Sequence, residues 1–267
     1  DILLIAKSTH FYDGTFVEKA REKYKCPVFL FVWDYMDGND CPDWHRKMIM
    51  ASDLYLANDV RSYTDIPSQK LYYFPMDVSD KQFDRVEADP STSLTINKKY
   101  DVVFFGSYFP KGDRVEWLKE INKTFPVKIF AWNPEAWIKD GFDAEPAVYG
   151  KDFALKVAES RIILGFNVND HTWGYWSNRV GKVLTTGGFL LQRYVSGMEL
   201  FLRDGADYFS SIDEAKEKID YYLKFPQKRE EVAQRGYEIG RERFTSASRM
   251  KELMIVIDRF KKGAFLR

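Results

Sequence analysis

Two stretches of this sequence combine residue types suited to holding an anion. The first is Phe104-Phe105-Gly106-Ser107-Tyr108-Phe109-Pro110-Lys111-Gly112-Asp113-Arg114. An apolar run stops at a glycine, a short loop carries Lys111, and Arg114 opens the next helical segment. Backbone N–H groups at a helix start, with two cations beside them, suit a phosphate or diphosphate. Solvated loop cations are the other reading, and the residue types leave both open. The second stretch is Trp173-Gly174-Tyr175-Trp176-Ser177-Asn178-Arg179-Val180-Gly181-Lys182, which continues to Gly187-Gly188 and Phe189-Leu190-Leu191. Arg179 and Lys182 stand three apart and share a helix face near its start. Cations there oppose the helix dipole, so a bound anion would account for them. A solvated basic face is the plainer alternative, but it leaves the aromatic loop unexplained. The aromatics Trp173 to Trp176 stack on a base or sugar, or pack a core, and packing is the commoner role for any one of them.

One carboxylate stands out. Asp34 directly follows the apolar run Val28-Phe29-Leu30-Phe31-Val32-Trp33, at the carboxyl end of a strand, where open α/β sheets place their ligands. Asp37, Asp40 and Asp43 follow at intervals of three around Gly38. A calcium loop needs ligands at alternate positions and a terminal Glu, so these read as turn and cap residues.

The elements that must position these groups alternate in type. Ile2 to Ala6, Val28 to Trp33, Leu54 to Ala57 and Lys70 to Phe74 read as strands, with helices over Phe16 to Lys25 and Trp44 to Ala51. Residues 79–99 are poor in apolar side chains and read as a linker or surface excursion. A second series follows: strands over Asp101 to Phe105, Val127 to Ala131, Ile162 to Asn167 and Phe189 to Leu191. Helices are expected over Asp113 to Lys123, Lys151 to Glu159 and Asn178 to Thr186. The last third is helical, with a capping box at Ser211 and Glu214, Pro226 at a helix start, and a final helix over Thr245 to Lys262. Strands alternating with helices imply parallel sheets, here in two α/β lobes.

Composition narrows the function classes. With 267 residues, the chain has the length of one large domain or two small ones. Forty Lys plus Arg balance forty Asp plus Glu, so no global basic excess points to nucleic acid or anionic membrane. Cys26 and Cys41 form no CxxC pair or disulfide framework, which predicts a reducing compartment and a cytoplasmic protein. His10, His45 and His171 fit no zinc spacing. No apolar run approaches the roughly 18 residues of a membrane span, and no signal peptide is evident. The chain opens on Asp1 inside an apolar run, which leads to the expectation of residues upstream. P-loop, GxGxxG, Asp-x-Asp and GxSxG motifs are absent.

The order of motifs is specific. Phe-Phe-Gly, Lys111-Gly112, Ser-Asn-Arg-Val, Gly-Gly-Phe-Leu-Leu and Ser-Gly-Met-Glu-Leu-Phe-Leu-Arg-Asp-Gly together resemble the C-terminal half of GT-B glycosyltransferases, in particular the CgeB-like branch of the group 1 (GT4-type) enzymes. The tail Tyr221-Tyr222-Leu223, Pro226, Arg229, Val232-Ala233, Gly236, Phe244-Thr245 and Arg249 is similar to that branch too. The likeness runs from about residue 100 to the end and is weaker but collinear over residues 1–78.

The resemblance implies an α/β GT-B fold, with two Rossmann-like lobes whose parallel sheets face across a cleft. Residues 1–95 would form a short acceptor-side lobe, and 96–267 a nucleotide-sugar-binding lobe with C-terminal helices. It implies that Lys111 touches the donor diphosphate, that Arg179 opens the donor-binding helix, and that Gly187 and Gly188 make the close turn after it. Gly106, Arg114, Tyr175, Trp176, Asn178 and Lys182 complete the expected donor site. Asp34 falls where such enzymes carry a residue facing the reacting sugar, and Asp34 and Arg179 are the expected catalytic groups. The expected reaction is metal-independent transfer from a nucleoside-diphosphate sugar, the co-substrate, with no other cofactor. The acceptor is open: a glycan, a protein or a modified nucleobase. Two departures stand against this frame. Lys182 occupies the place of the family's ribose-holding Glu, and the earlier Glu is absent around Gly174. The first lobe also offers about four strands where roughly six are usual, through missing upstream residues or a reduced lobe. A non-catalytic nucleotide-sugar-binding or surface-assembly protein therefore remains a rival. So does a GT-B-fold epimerase, for which only Asp34, Asp37 and Asp170 offer carboxylates.

Overall fold

The computed structural model describes residues 1–6, 13–31, 41–58, 61, 63–75, 83–86, 97–110, 112–168 and 170–265. They divide into two compact units: Asp1–Met76 with Thr172–Tyr175 and Met250–Arg267, and Asp77–His171 with Trp176–Arg249.

The first unit is a four-stranded parallel sheet, β1 (Leu3–Ala6), β2 (Val28–Phe31), β3 (Leu54–Ala57) and β4 (Leu71–Tyr73), in that spatial order. Every described residue of β2 and β3 is buried, as central parallel strands covered on both faces require. Helices α1 (Gly14–Tyr24) and α2 (Asp43–Ala51) follow β1 and β2. Helix α1 starts where the Asp13 carboxylate accepts from the Phe16 N–H, and it stops at Lys25 in a left-handed conformation. On the buried face of α2, His45 has its Nε2 3.3 Å from the Tyr55 hydroxyl, which lies 3.3 Å from the Tyr63 hydroxyl. Burial pushes the imidazole pKa down to about 4, aided by the Arg46 charge. Residues 172–175 belong to this unit. The Tyr73 hydroxyl donates to the Gly174 carbonyl at 2.7 Å, and the Arg61 guanidinium lies 3.7 Å from the centre of the Trp173 ring.

The second unit is a six-stranded parallel sheet of β5 (Tyr100–Phe105), β6 (Val127–Ala131), β7 (Asp143–Pro146), β8 (Ser160–Gly165), β9 (Leu190–Arg193) and β10 (Asp207–Phe209). Their spatial order is β10-β9-β8-β5-β6-β7. The chain builds outward from β5 to β7, then returns to the other side of β5, so the switch point lies between β5 and β8. Ligands of open α/β sheets bind at the carboxyl ends of the strands there. The connecting helices are α3 (Arg114–Asn122), α4 (Pro134–Lys139), α5 (Gly150–Ala158), α6 (Asn178–Thr185) and α7 (Met198–Leu202). Three helices close the chain: α8 (Ile212–Lys224), α9 (Pro226–Arg243) and α10 (Ser246–Lys261), the last grouping with the first unit from Met250 on. The core under the sheet is aromatic: Phe104, Trp137, Phe166 and Phe209 are buried together. The capping box forms, with a shift. Ser211 accepts from the Glu214 N–H, while the Glu214 carboxylate reaches back to the N–H of Ser210. Among the described residues, no helix is long and apolar enough to cross a membrane.

Candidate functional site

A cleft of about 330 Å³ opens in the second unit at the carboxyl ends of its strands. Its walls come from the ends of β5 and β6, the loop after β7, and the start of α6. Gly106, Asn178, Arg179 and Lys182, all expected at the site, line it together.

The glycine and the arginine are fitted to each other. Gly106 is held by its N–H on the Phe130 carbonyl (3.0 Å) and by the Trp137 indole on its own carbonyl (3.1 Å). A Cβ here would lie 2.6 Å from Cζ of Phe104 and 2.8 Å from Nη2 of Arg179. Arg179 lies with its guanidinium 4.7 Å from the centre of the Phe104 ring and donates to the Phe166 carbonyl at 2.6 Å. That bond ties the first turn of α6 to the end of β8. The Ser177 N–H adds a second tie to the Asn167 side-chain oxygen at 3.1 Å. The first N–H groups of α6 have no intrahelical partner, as at any helix start, so cationic side chains and helix terminus meet at one end of the cleft.

Lys182 follows one turn later. Its ammonium lies 4.8 Å from the centre of the Phe83 ring, and no carboxylate among the described residues pairs with it. Burial, and then the like charge of Arg179, push its pKa below the usual lysine range. Two cations thus face a cleft whose described lining holds no carboxylate. Beneath them is a row of phenylalanines: Phe83 edge-on to Phe153, Phe153 against Phe105 (4.6 Å), and Phe105 stacked on Phe130 (5.4 Å).

Other expected residues are placed elsewhere. Arg114 is buried; it donates to the Ser107 carbonyl at 2.8 Å and faces the Phe104 and Phe109 rings, so it braces the loop after β5 from below. Trp176 is buried between Phe201 and Phe244, and Tyr175 is buried in the first unit. Gly187 takes a left-handed φ of +76° beside Arg85. Gly188 packs where a Cβ would meet Ile163 and Val157, each at 2.6 Å. Both glycines serve the turn from α6 into β9 and neither lines the cleft. Asp34, Asp37 and Lys111 lie outside the described residues.

Residues 111–255, more than half of the chain, match a family described as glycosyl transferase-like. The chain belongs to that family. Solved structures add the fold. The Anabaena protein Alr3699/HepE, crystallised with UDP and glucose, is 12% identical with a TM-score of 0.67, over 96% of this chain and 77% of that one. Sucrose-phosphate synthase from Thermosynechococcus elongatus is 10% identical with a TM-score of 0.69, over 98% and 74%. A glycosyltransferase from Rickettsia africae is 9% identical with a TM-score of 0.63, over 91% and 79%. No protein of curated function matches the chain. The architecture is α/β of the GT-B type.

In this glycosyl transferase-like chain, sequence reasoning missed the far wall of the cleft, Trp132, Tyr149 and Phe153. Trp132 had a usable signal, because it directly follows the apolar strand β6 at its carboxyl end. Tyr149 had none, since β7 carries no apolar period. A second polar group stands apart from the cleft lining. Arg193, at the end of β9, pairs with both carboxylate oxygens of Asp113 (2.5 and 2.8 Å) and with Asp170 (3.0 Å), and lies 4.0 Å from the centre of the Trp117 ring. The hydrogen bonds from Arg193 hold the Asp113 carboxyl below the usual carboxylate range, whereas burial pushes Asp170 up. Among the described residues, no group of three or more His, Cys, Asp or Glu is placed to hold a metal ion.

Proposed function

We propose that this protein transfers a sugar from a nucleoside-diphosphate sugar without a metal ion, and that it falls in the CgeB-like branch of group 1 glycosyltransferases. One observation carries the reading. Arg179 and Lys182 converge on one cleft at the start of α6 and the switch point of the sheet, where the first N–H groups of the helix also stand. The family match and the UDP-bound state of the Anabaena neighbour support it from outside.

In the transfer, the bond from the anomeric carbon to the diphosphate oxygen breaks and a bond to the acceptor forms as the acceptor loses its proton. Negative charge grows on the leaving diphosphate. Fixed cations and helix N–H groups stabilise that charge where other transferases use a metal. Lys182, its ammonium destabilised by burial and by Arg179, regains stability once a dianion arrives. Lys111 would join this end of the donor, and Asp34 would face the sugar as its contact or base.

Isothermal titration with UDP, with and without EDTA, tests the reading. Metal-independent binding is expected, weakened at least about tenfold in Arg179→Ala, where a charge-assisted contact of about 1.5–3 kcal/mol is lost. Unchanged affinity in that variant would overturn the assignment. Binding that persists while UDP-sugars release no UDP would move the reading to the non-catalytic binder.

A further inference from the structure

The cleft is polarised along the sheet. Arg179 and Lys182 come from α6, which follows β8, while Trp132 stands at the end of β6 and Tyr149 in the loop after β7, beyond β5 in the spatial order. Three strand spacings separate β8 from β7, roughly 14 Å, a span suited to an extended nucleotide rather than to a lone phosphate or sugar. Trp132 is 75% exposed, the most exposed large apolar side chain among the described residues, and Tyr149 is 57% exposed. Their rings meet edge-to-face at 6.3 Å and 76°, which covers one ring face at most and leaves the others open to a flat partner. Around them the wall is Phe130, Ala147, Val148 and Phe153. A sugar there would need side-chain partners for its hydroxyls, and this wall supplies no carboxylate or amide. A planar base needs only a face.

We infer that Trp132 and Tyr149 form the stacking site for the donor's nucleobase, so that the nucleotide lies across β5 and β6 with its diphosphate at α6. The inference rests on the nucleotide-sugar reading of the same cleft. It makes Trp132 the side chain that distinguishes a nucleotide from a bare diphosphate.

Titration of the full chain with UDP and with inorganic pyrophosphate separates the two readings. Because Trp132 is exposed, Trp132→Ala should keep the wild-type melting temperature. That variant is expected to bind UDP about tenfold or more weakly, the scale of one base–aromatic stack, and to bind pyrophosphate within twofold of wild type. Trp132→Phe, which keeps a face, should recover most of the loss. Arg179→Ala should weaken both ligands. If Trp132→Ala binds UDP like wild type while Arg179→Ala loses both, the anion site stands and the stacking site is wrong. Equal loss of UDP and pyrophosphate in Trp132→Ala would likewise overturn the stacking role. If wild type binds neither ligand, the donor reading itself fails and the inference falls with it.

Discussion

A methyl group on Gly106 would have no room: it would lie 2.6 Å from the rigid Phe104 ring and 2.8 Å from the Arg179 guanidinium. The ring is packed from both sides, so the arginine is the part that must move. Gly106→Ala should therefore act mainly on anion binding, weakening UDP by about tenfold in titration. Its cost to folding should be about 1–3 kcal/mol, the usual penalty of overpacking, read by urea unfolding. Retained UDP affinity would mean that Arg179 does not hold the anion. At this scale the sequence disclosed chemistry better than position. Arg179, Lys182, Asn178 and Gly106 were recognisable because glycine, cation and helix start coincide in the chain. Arg114 looked equivalent, yet it is buried on the Ser107 carbonyl. Residue type cannot tell a cation that faces a cleft from one that braces a loop.

Elements explain which parts of the cleft were hidden. Strand β7, Asp143-Ala144-Glu145-Pro146, has no apolar alternation and ends in proline, as edge strands do. It is held by Lys128 on the neighbouring β6, whose ammonium reaches Asp143 at 2.6 Å and Glu145 at 2.7 Å. These partners raise the Lys128 pKa although burial opposes them. That cross-strand pairing is invisible to a periodicity reading, and with it went Tyr149. The central strands, buried on both faces, were plain. Arg193 acts at the same scale. It joins Asp113, at the start of α3, to Asp170, in the chain between β8 and α6, and so links segments that flank the cleft's elements. Arg193→Ala leaves the Asp170 carboxylate, whose side chain is 10% exposed, buried without its cation. The expected loss is about 3 kcal/mol near neutral pH, with little from the exposed Asp113 pair. The sign with pH follows from Asp170. Its folded pKa is raised, and removing the guanidinium raises it further, so its contribution is least unfavourable at low pH and worsens as pH rises through the folded value. The variant should lie closer to wild type at pH 5 than at pH 8. Asp170→Asn added to Arg193→Ala should recover part of the loss, and urea unfolding that is flat across pH would contradict this.

For the molecule as a whole, two parallel sheets were legible from strand–helix alternation, whereas the expected division at residues 95 and 96 does not match the units, which part at Asp77 and place residues 172–175 and 250–267 with the first. From Met250 onward, Leu253 and Val256 pack with Phe29, Phe31, Leu54 and Leu56 of the first sheet, so the final helix was expected from the sequence but the sheet it covers was not. The first core also contains the group that should set the molecule's acid limit. His45 sits in a buried place beside the Tyr55 hydroxyl and the cation Arg46, and burial and that charge both disfavour its protonated form. The folded pKa of about 4 lies below the ordinary 6.5. The unfolded chain therefore takes up the proton first, and stability is fully present above pH 6.5 and lost as pH falls toward 4. By pH 5 the loss amounts to about 2 kcal/mol, from a shift of 1.36 kcal/mol per pKa unit. Carboxylates add their own acid dependence, so the comparison must be with His45→Gln, which keeps a polar side chain that cannot titrate. Relative to that variant, wild-type unfolding free energy should fall by about 2 kcal/mol between pH 7 and pH 5, and the amides of β2 and β3 should exchange faster. Parallel pH curves for the two proteins would place the acid sensitivity in other groups and remove the buried neutral imidazole from the account of this core.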